Sequence, residues 1–134
     1  MPLRKPQRFR PAPDHGTGKP LILCVEDNVV YLRLRRAVLE REGYNVIGVT
    51  NVADAISTLR EAPVCCTIAD HMLQGETGTD LAKTMKDIKP DVPVILFSGT
   101  APAGLQNVDV YINKGEPTST FLRIVREVIQ RYWS

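Results

Sequence analysis

Five residues of this chain stand where an apolar run breaks off. Glu26 and Asp27 follow residues 21–25, Asp70 follows residues 64–69, Ser98 follows residues 93–97, and Lys114 comes just after residues 109–112. Each has an ordinary explanation on its own. Asp27 or Asn28 would cap a helix, Asp70 would sit in a turn, Ser98-Gly99 is a common turn pair, and most lysines are solvated. Gathered at one place, they suggest a chemistry. Three crowded carboxylates repel one another, and the crowding makes sense around a hard divalent cation such as Mg²⁺, which prefers carboxylate oxygens. A carboxylate can accept a phosphoryl group from an activated donor. That transfer needs positioning and cancellation of charge more than covalent help. Mg²⁺ would cancel part of the charge and Lys114 another part, while the Ser98 hydroxyl would hydrogen-bond a third phosphoryl oxygen.

The set works only if the chain brings those breaks to one edge, and the pattern between them says that it does. Leu21-Ile22-Leu23-Cys24-Val25 is a continuous apolar run, typical of a strand covered on both faces. Val30, Leu34, Ala37 and Val38 form a helical stripe over residues 29–42, stopped by Gly43. Residues 45–49 make a second strand. Val52, Ala55, Ile56 and Leu59 mark a second helix, closed by Pro63, and residues 64–69 a third strand. His71 to Gly78 reads as a loop. Leu81, Ala82, Met85 and Ile88 mark a third helix, with Thr77 or Thr79 as its cap. Residues 93–97 and 109–112 are the fourth and fifth strands. Phe121, Ile124, Val125, Val128 and Ile129 mark a last helix, with Pro117 near its first turn. Strands alternating with amphipathic helices imply a parallel sheet with right-handed crossovers, and in such sheets sites form outside the carboxyl ends of the strands.

A chain of 134 residues fits one domain, and 43% hydrophobic residues suffice for one core. Wholesale disorder and a multidomain enzyme are excluded. No apolar run reaches the ~20 residues of a membrane span, and the basic, Pro-rich start is not a secretory signal. Residues 1–20 hold five of the ten prolines and a formal charge of +4, against −2 for the rest, so they read as a disordered basic arm ahead of a domain at 21–134. The folded part lacks a nucleic-acid-binding balance. Cys24, Cys65 and Cys66 lie in apolar runs and are not spaced as zinc ligands, which suits buried, reduced thiols in a cytoplasm.

The chain resembles the receiver domain of two-component response regulators. The resemblance is carried by Leu-Cys-Val-Glu-Asp-Asn at 23–28, Leu-Glu-Arg-Glu-Gly-Tyr at 39–44, Ile-Ala-Asp at 68–70 with Gly78 eight residues on, Ile-Leu-Phe-Ser-Gly at 95–99, and Tyr-Ile-Asn-Lys at 111–114. It covers residues 21–134. It implies a flavodoxin-like three-layer α/β fold with a five-stranded parallel sheet in order 2-1-3-4-5. It also implies Asp70 as phosphoacceptor and Glu26, Asp27, Asp70 and the Met72 backbone carbonyl as Mg²⁺ ligands. Ser98 would be the switch hydroxyl, Lys114 the phosphoryl-binding lysine and Tyr111 the aromatic switch. Met72 and Thr100 match positions that in this family tune the rate of dephosphorylation. Such a domain is a signalling module rather than an enzyme, phosphorylating itself from a donor and slowly losing the phosphate. Its partners would be a sensor histidine kinase or a histidine phosphotransfer protein and an unknown downstream protein, with no membrane and no nucleic acid bound by the folded domain.

Three departures from the family pattern stand out. Leu73-Gln74 replaces the usual Met-Pro, and Gly115 replaces the proline after the lysine, so a trans bond is expected there. The stretch from Ser98 to Lys114 is short and contains Pro102 and Gly104, so the fourth helix is expected to be shortened or missing. With the chain ending soon after the last helix, the expectation is a stand-alone phosphoacceptor in a His-to-Asp phosphorelay. The alternative is a pseudo-receiver acting as a phosphorylation-independent scaffold. An aspartate-based phosphatase would carry Asp-x-Asp after the first strand, where this chain has Glu26-Asp27-Asn28.

Overall fold

The computed structural model describes residues 18–73 and 75–133. The expected arm lies outside them except for its last three positions, as does Gln74 of the Leu73-Gln74 departure.

The apolar runs form the centre of the molecule. Strands β1 (Leu21–Val25) and β3 (Cys66–Ala69) are buried along their whole length. They pair in parallel, with β2 (Asn45–Val49) on the far side of β1. A two-residue hairpin, β4 (Met72–Leu73) with β5 (Glu76–Thr77), occupies the stretch expected to be a plain loop. Its tight link at Gly75, φ +86°, suits a residue without a Cβ. Strands β6 (Val94–Ser98) and β7 (Val110–Asn113) complete the main sheet in order β2-β1-β3-β6-β7. With the hairpin set aside, that is the expected 2-1-3-4-5.

Among the described residues four helices cover the sheet: α1 (Val29–Arg41), α2 (Val52–Glu61), α3 (Gly78–Ile88) and α4 (Thr118–Tyr132). Asn28 caps α1 by accepting hydrogen bonds from the Val30 and Tyr31 amides, and Thr77 caps α3 by accepting from Asp80. Residues 99–109 form no helix. Pro102 and Gly104 break the one available turn there, and the missing fourth crossover helix follows from that. No peptide bond among the described residues is cis, Lys114-Gly115 included.

The face of α1 differs from expectation. The sheet is met by Leu32, Arg35 and Leu39, while Val30 and Leu34 are each 61% exposed and Ala37 faces solvent. Both faces of this helix carry similar apolar content, so the stripe does not decide its rotation. A buried Arg35 interrupts the true core face, and that charge is tolerated because it is paired.

Gly78 fixes how close α3 comes to the sheet. A Cβ there would strike the Asp70 carbonyl oxygen, the Leu96 side chain and the His71 Cα. Its amide donates to the His71 carbonyl at 2.7 Å. The glycine eight residues after Asp70 thus lets the chain fold back directly onto the end of β3.

Candidate functional site

Strand register places the polar residues at one level. Val25 is opposite Ala69, and Ala69 is opposite Leu96. Glu26 and Asp70, the next residues, therefore leave the sheet side by side. The Glu26 amide still donates to the Val49 carbonyl at 3.0 Å, and the Asp70 amide to the Val25 carbonyl at 3.1 Å. On the other side Ser98 is opposite Asn113, and the Lys114 amide donates to the Ser98 carbonyl at 2.9 Å. The main chain is held by the ladder up to the last residue before each functional side chain.

Glu26, Asp27 and Asp70 converge, with one carboxylate oxygen from each within 4.8 Å of the others. Lys114 Nζ lies 3.2 Å from Asp70 Oδ2 and 3.3 Å from Glu26 Oε1. Glu26 is buried at 1% exposure and Asp70 at 8%, so both carboxylates need these partners. The Asp27 carboxylate is half-buried and takes no hydrogen bond or ion pair from any described residue. A hard cation with oxygen ligands at about 2.1 Å fits this set: the donors are all carboxylate, they are close together, and one is unengaged. Lys114 is also flanked by aromatic faces, 5.7 Å from the Tyr31 ring centroid and 5.9 Å from that of Phe97.

The other expected residues lie at the same edge but outside this knot. Ser98 is buried, and its hydroxyl turns into its own loop, donating to the Thr100 carbonyl at 3.1 Å and accepting from the Thr100 amide. Tyr111 is half-buried on the edge strand. Its hydroxyl donates to the Ser98 carbonyl at 3.2 Å and accepts from the Asn113 side-chain amide. Ser98, Thr100, Tyr111 and Asn113 thus form one hydrogen-bonded chain across β6 and β7. Met72 lies in β4, two residues past Asp70, with its side chain exposed.

Sequence reasoning missed Arg35. Its guanidinium nitrogens stand 3.4 Å from Glu26 Oε1, and its guanidinium carbon lies over Phe97, 4.7 Å from the ring centroid. A basic residue three positions after Leu32 and four before Leu39, inside a leucine stripe, was the available signal. Beneath the site the Cys24 thiol is pushed up to about 12 by burial, an effect that Arg35 and Arg36 only partly offset. This thiol stays neutral and takes no part as a nucleophile.

Comparison with known proteins gives a consistent picture. Residues 22–115 match the response regulator receiver domain. The uncharacterized transcriptional regulatory protein YbdJ of Bacillus subtilis is 33% identical over 118 residues, which cover 84% of this chain and 52% of that relative. The chain thus spans about half of YbdJ. Among solved structures, a CheY-like receiver domain protein from Methanospirillum hungatei superposes with a TM-score of 0.78 at 23% identity, over 85% of this chain and 96% of its own. The response regulator TrrA from Thermotoga maritima, solved in complex with Mg²⁺ and beryllofluoride, gives 0.77 at 21% identity, over 81% and 98%. At such identities these two are likenesses of fold.

Proposed function

The chain belongs to the response regulator receiver family, and from that premise we propose that it is an Mg²⁺-dependent phosphoacceptor of a His-to-Asp phosphorelay, with Asp70 as the accepting residue. The observation that supports this most is the knot itself: three carboxylates within 4.8 Å, with Lys114 bridging two of them. Neutral residues would cap and turn the chain as well, without the repulsion.

In the proposed reaction a carboxylate oxygen of Asp70 forms a bond to phosphorus. The bond from phosphorus to the donor's leaving group breaks, and the leaving group takes the electron pair. The donor is a phosphohistidine on a sensor kinase or phosphotransfer protein, or a small acyl phosphate. Burial and the Lys114 contact hold the Asp70 carboxylate in one orientation. Lys114, already 3.2 Å from Oδ2, takes on charge from the incoming phosphoryl oxygens. Glu26, Asp27, Asp70 and the Met72 carbonyl would hold Mg²⁺, which would supply further charge neutralisation as a Lewis acid. The Ser98 hydroxyl leaves Thr100 to hydrogen-bond the phosphoryl group. Since Tyr111 is bonded to the Ser98 carbonyl, that change is felt along the edge strand and in residues 99–109. Water later hydrolyses the aspartyl phosphate.

The remaining parts of the proposal are a basic arm at 1–20 ahead of a receiver at 21–134, and a cytoplasmic location. No helix among the described residues is long and apolar enough to cross a membrane.

The deciding experiment is intact mass after incubation with Mg²⁺ and acetyl phosphate. One phosphate adduct is expected, absent without Mg²⁺ and absent in a folded Asp70→Asn variant. An adduct that persists in that variant refutes the assignment. No adduct on the wild type, with kinase binding retained, would make the chain a pseudo-receiver scaffold.

A further inference from the structure

Arg35 is the only charged side chain of α1 that is fully buried, at 7% exposure, and it points at Glu26. Both terminal nitrogens and Lys114 Nζ approach the same oxygen, Glu26 Oε1, at 3.3–3.4 Å. The other oxygen of that carboxylate accepts from the Asn28 amide at 3.1 Å. Glu26 therefore carries two cationic partners, although one would neutralise it. The guanidinium carbon also lies 4.7 Å over the Phe97 ring, a second contact that favours its position beside Glu26. Structural needs alone do not call for a second cation here. An apolar residue between Leu32 and Leu39 would fill the helix face at lower desolvation cost.

A charge count suggests what the second cation does. Glu26, Asp27 and Asp70 against Lys114 and Arg35 leave a formal −1. A divalent cation brings the knot to +1. A phosphoryl group on Asp70 then replaces one carboxylate charge by two and brings it to zero. Without Arg35 the same three states are −2, 0 and −1. The complete constellation is neutral only when Arg35 is counted.

We propose that Arg35 is a positioning and charge-setting residue of the phosphorylation site, weakening the hold of the three carboxylates on a divalent cation and strengthening their hold on the phosphoryl group. This rests on the receiver reading above and adds a member to its site. The consequence is that cation and phosphoryl binding reinforce each other: the cation alone is held loosely, and the anion completes the balance. Because Arg35 belongs to α1, the rotation of that helix is tied to the charge state of the site through a single ion pair.

The test separates charge from tether. Arg35→Gln keeps a hydrogen-bond donor for Glu26 and removes the charge. Arg35→Lys keeps the charge and loses the planar fork. Calorimetric titrations of the full chain would measure Mg²⁺ affinity, and then beryllofluoride affinity at saturating Mg²⁺, with folding checked by near-ultraviolet dichroism. Arg35→Gln is expected to bind Mg²⁺ about three- to tenfold tighter and beryllofluoride weaker by a similar factor. Arg35→Lys is expected to stay within about twofold of wild type for both. A merely structural residue would move both affinities in the same direction, and that result, or no change in Arg35→Gln, overturns the proposal. Should Arg35→Gln not fold, Arg35→Met serves as the uncharged variant under the same criterion. A wild type that binds neither Mg²⁺ nor beryllofluoride would instead overturn the receiver reading itself.

Discussion

The two ends of the sheet each hold a carboxylate paired to a lysine, and they are built on opposite principles. At the amino end Asp109 is fully answered. Its Oδ2 lies 2.6 Å from Lys86 Nζ and accepts from the Val94 amide at 2.7 Å, and its Oδ1 accepts from the Tyr132 hydroxyl at 2.6 Å. Lys86 also sits over the Tyr132 ring. One negative charge meets one positive charge, with every contact short. At the carboxyl end three carboxylates face two cations, the contacts to those cations run from 3.2 to 3.4 Å, and Asp27 is unengaged among the described residues. Short, saturated bonds mark a strut. Long bonds with charge left over mark a place kept ready for something else.

Breaking the strut should give the largest effect. Asp109 ties together α3, β6 and α4, and it closes the helix-free segment 99–109 just before β7. Asp109→Ala leaves a buried amide, a hydroxyl and an ammonium without their acceptor. We expect a loss of about 3 kcal/mol, on the order of 10 °C in melting temperature. A two-state urea melt checks it. A loss below about 1 kcal/mol would mean that the three donors find other partners, and the contrast between the ends would weaken.

Between the two ends lie the thiols. Burial pushes Cys24 and Cys65 up to about 12, and Cys66 well above the ordinary thiol value of 9.0. In the unfolded chain these groups lose their protons near 9, while in the folded chain they keep them. The unfolded state thus binds fewer protons above that pH, and stability falls as pH rises from about 9 toward about 12. Each thiol should contribute a loss of about 1 kcal/mol by pH 10. Denaturation at pH 8, 9 and 10 measures the trend, and Cys24→Ala should flatten it by one thiol's share. The two ends enter here as well. Cys24 feels Arg35 and Arg36 from the site end, whereas Cys66 feels Asp109 and Lys86 from the strut end.

Much of this was legible in the sequence, and what was not has a physical reason. Continuous apolar runs ending in charged or hydroxyl residues determine both the strands and the edge where Glu26, Asp27, Asp70, Ser98 and Lys114 emerge. That inference needs only period and polarity. The weak fourth crossover was legible too, because Pro102 and Gly104 leave no room for a helix. The rotation of α1 was not. Val30 and Leu34 are as apolar as Leu32 and Leu39, and the pair that accompanies the actual rotation, Arg35 with Glu26, is nine residues apart. The Asp109 strut was hidden for the same reason: its partners come from residues 86, 94 and 132, and no local pattern announces them. Ion pairs between elements are written in three dimensions, whereas stripes and caps are written along the chain.

The smallest effect is the most telling, because its sign differs from that of every carboxylate deletion at a strut. Asp27 contributes charge to the knot but receives no bond from the described residues, so its removal strands no partner. It also reduces the formal excess of negative charge. Without Mg²⁺, Asp27→Asn should therefore be slightly more stable than wild type, by roughly 0.5 kcal/mol, a size suited to a half-exposed charge. Adding Mg²⁺ should reverse the ranking. At ten times its dissociation constant a cation that binds only the native state contributes about 1.4 kcal/mol to the wild type. The variant, lacking one of three donors, should gain little. Thermal melts of both proteins with and without Mg²⁺, at equal ionic strength, supply all four values. Crossing lines are the expected result. Should Asp27→Asn be less stable than wild type in the absence of Mg²⁺, Asp27 is a strut like Asp109 and the carboxyl end is not a site kept in deficit. Should Mg²⁺ raise both proteins equally, the cation binds elsewhere on the chain.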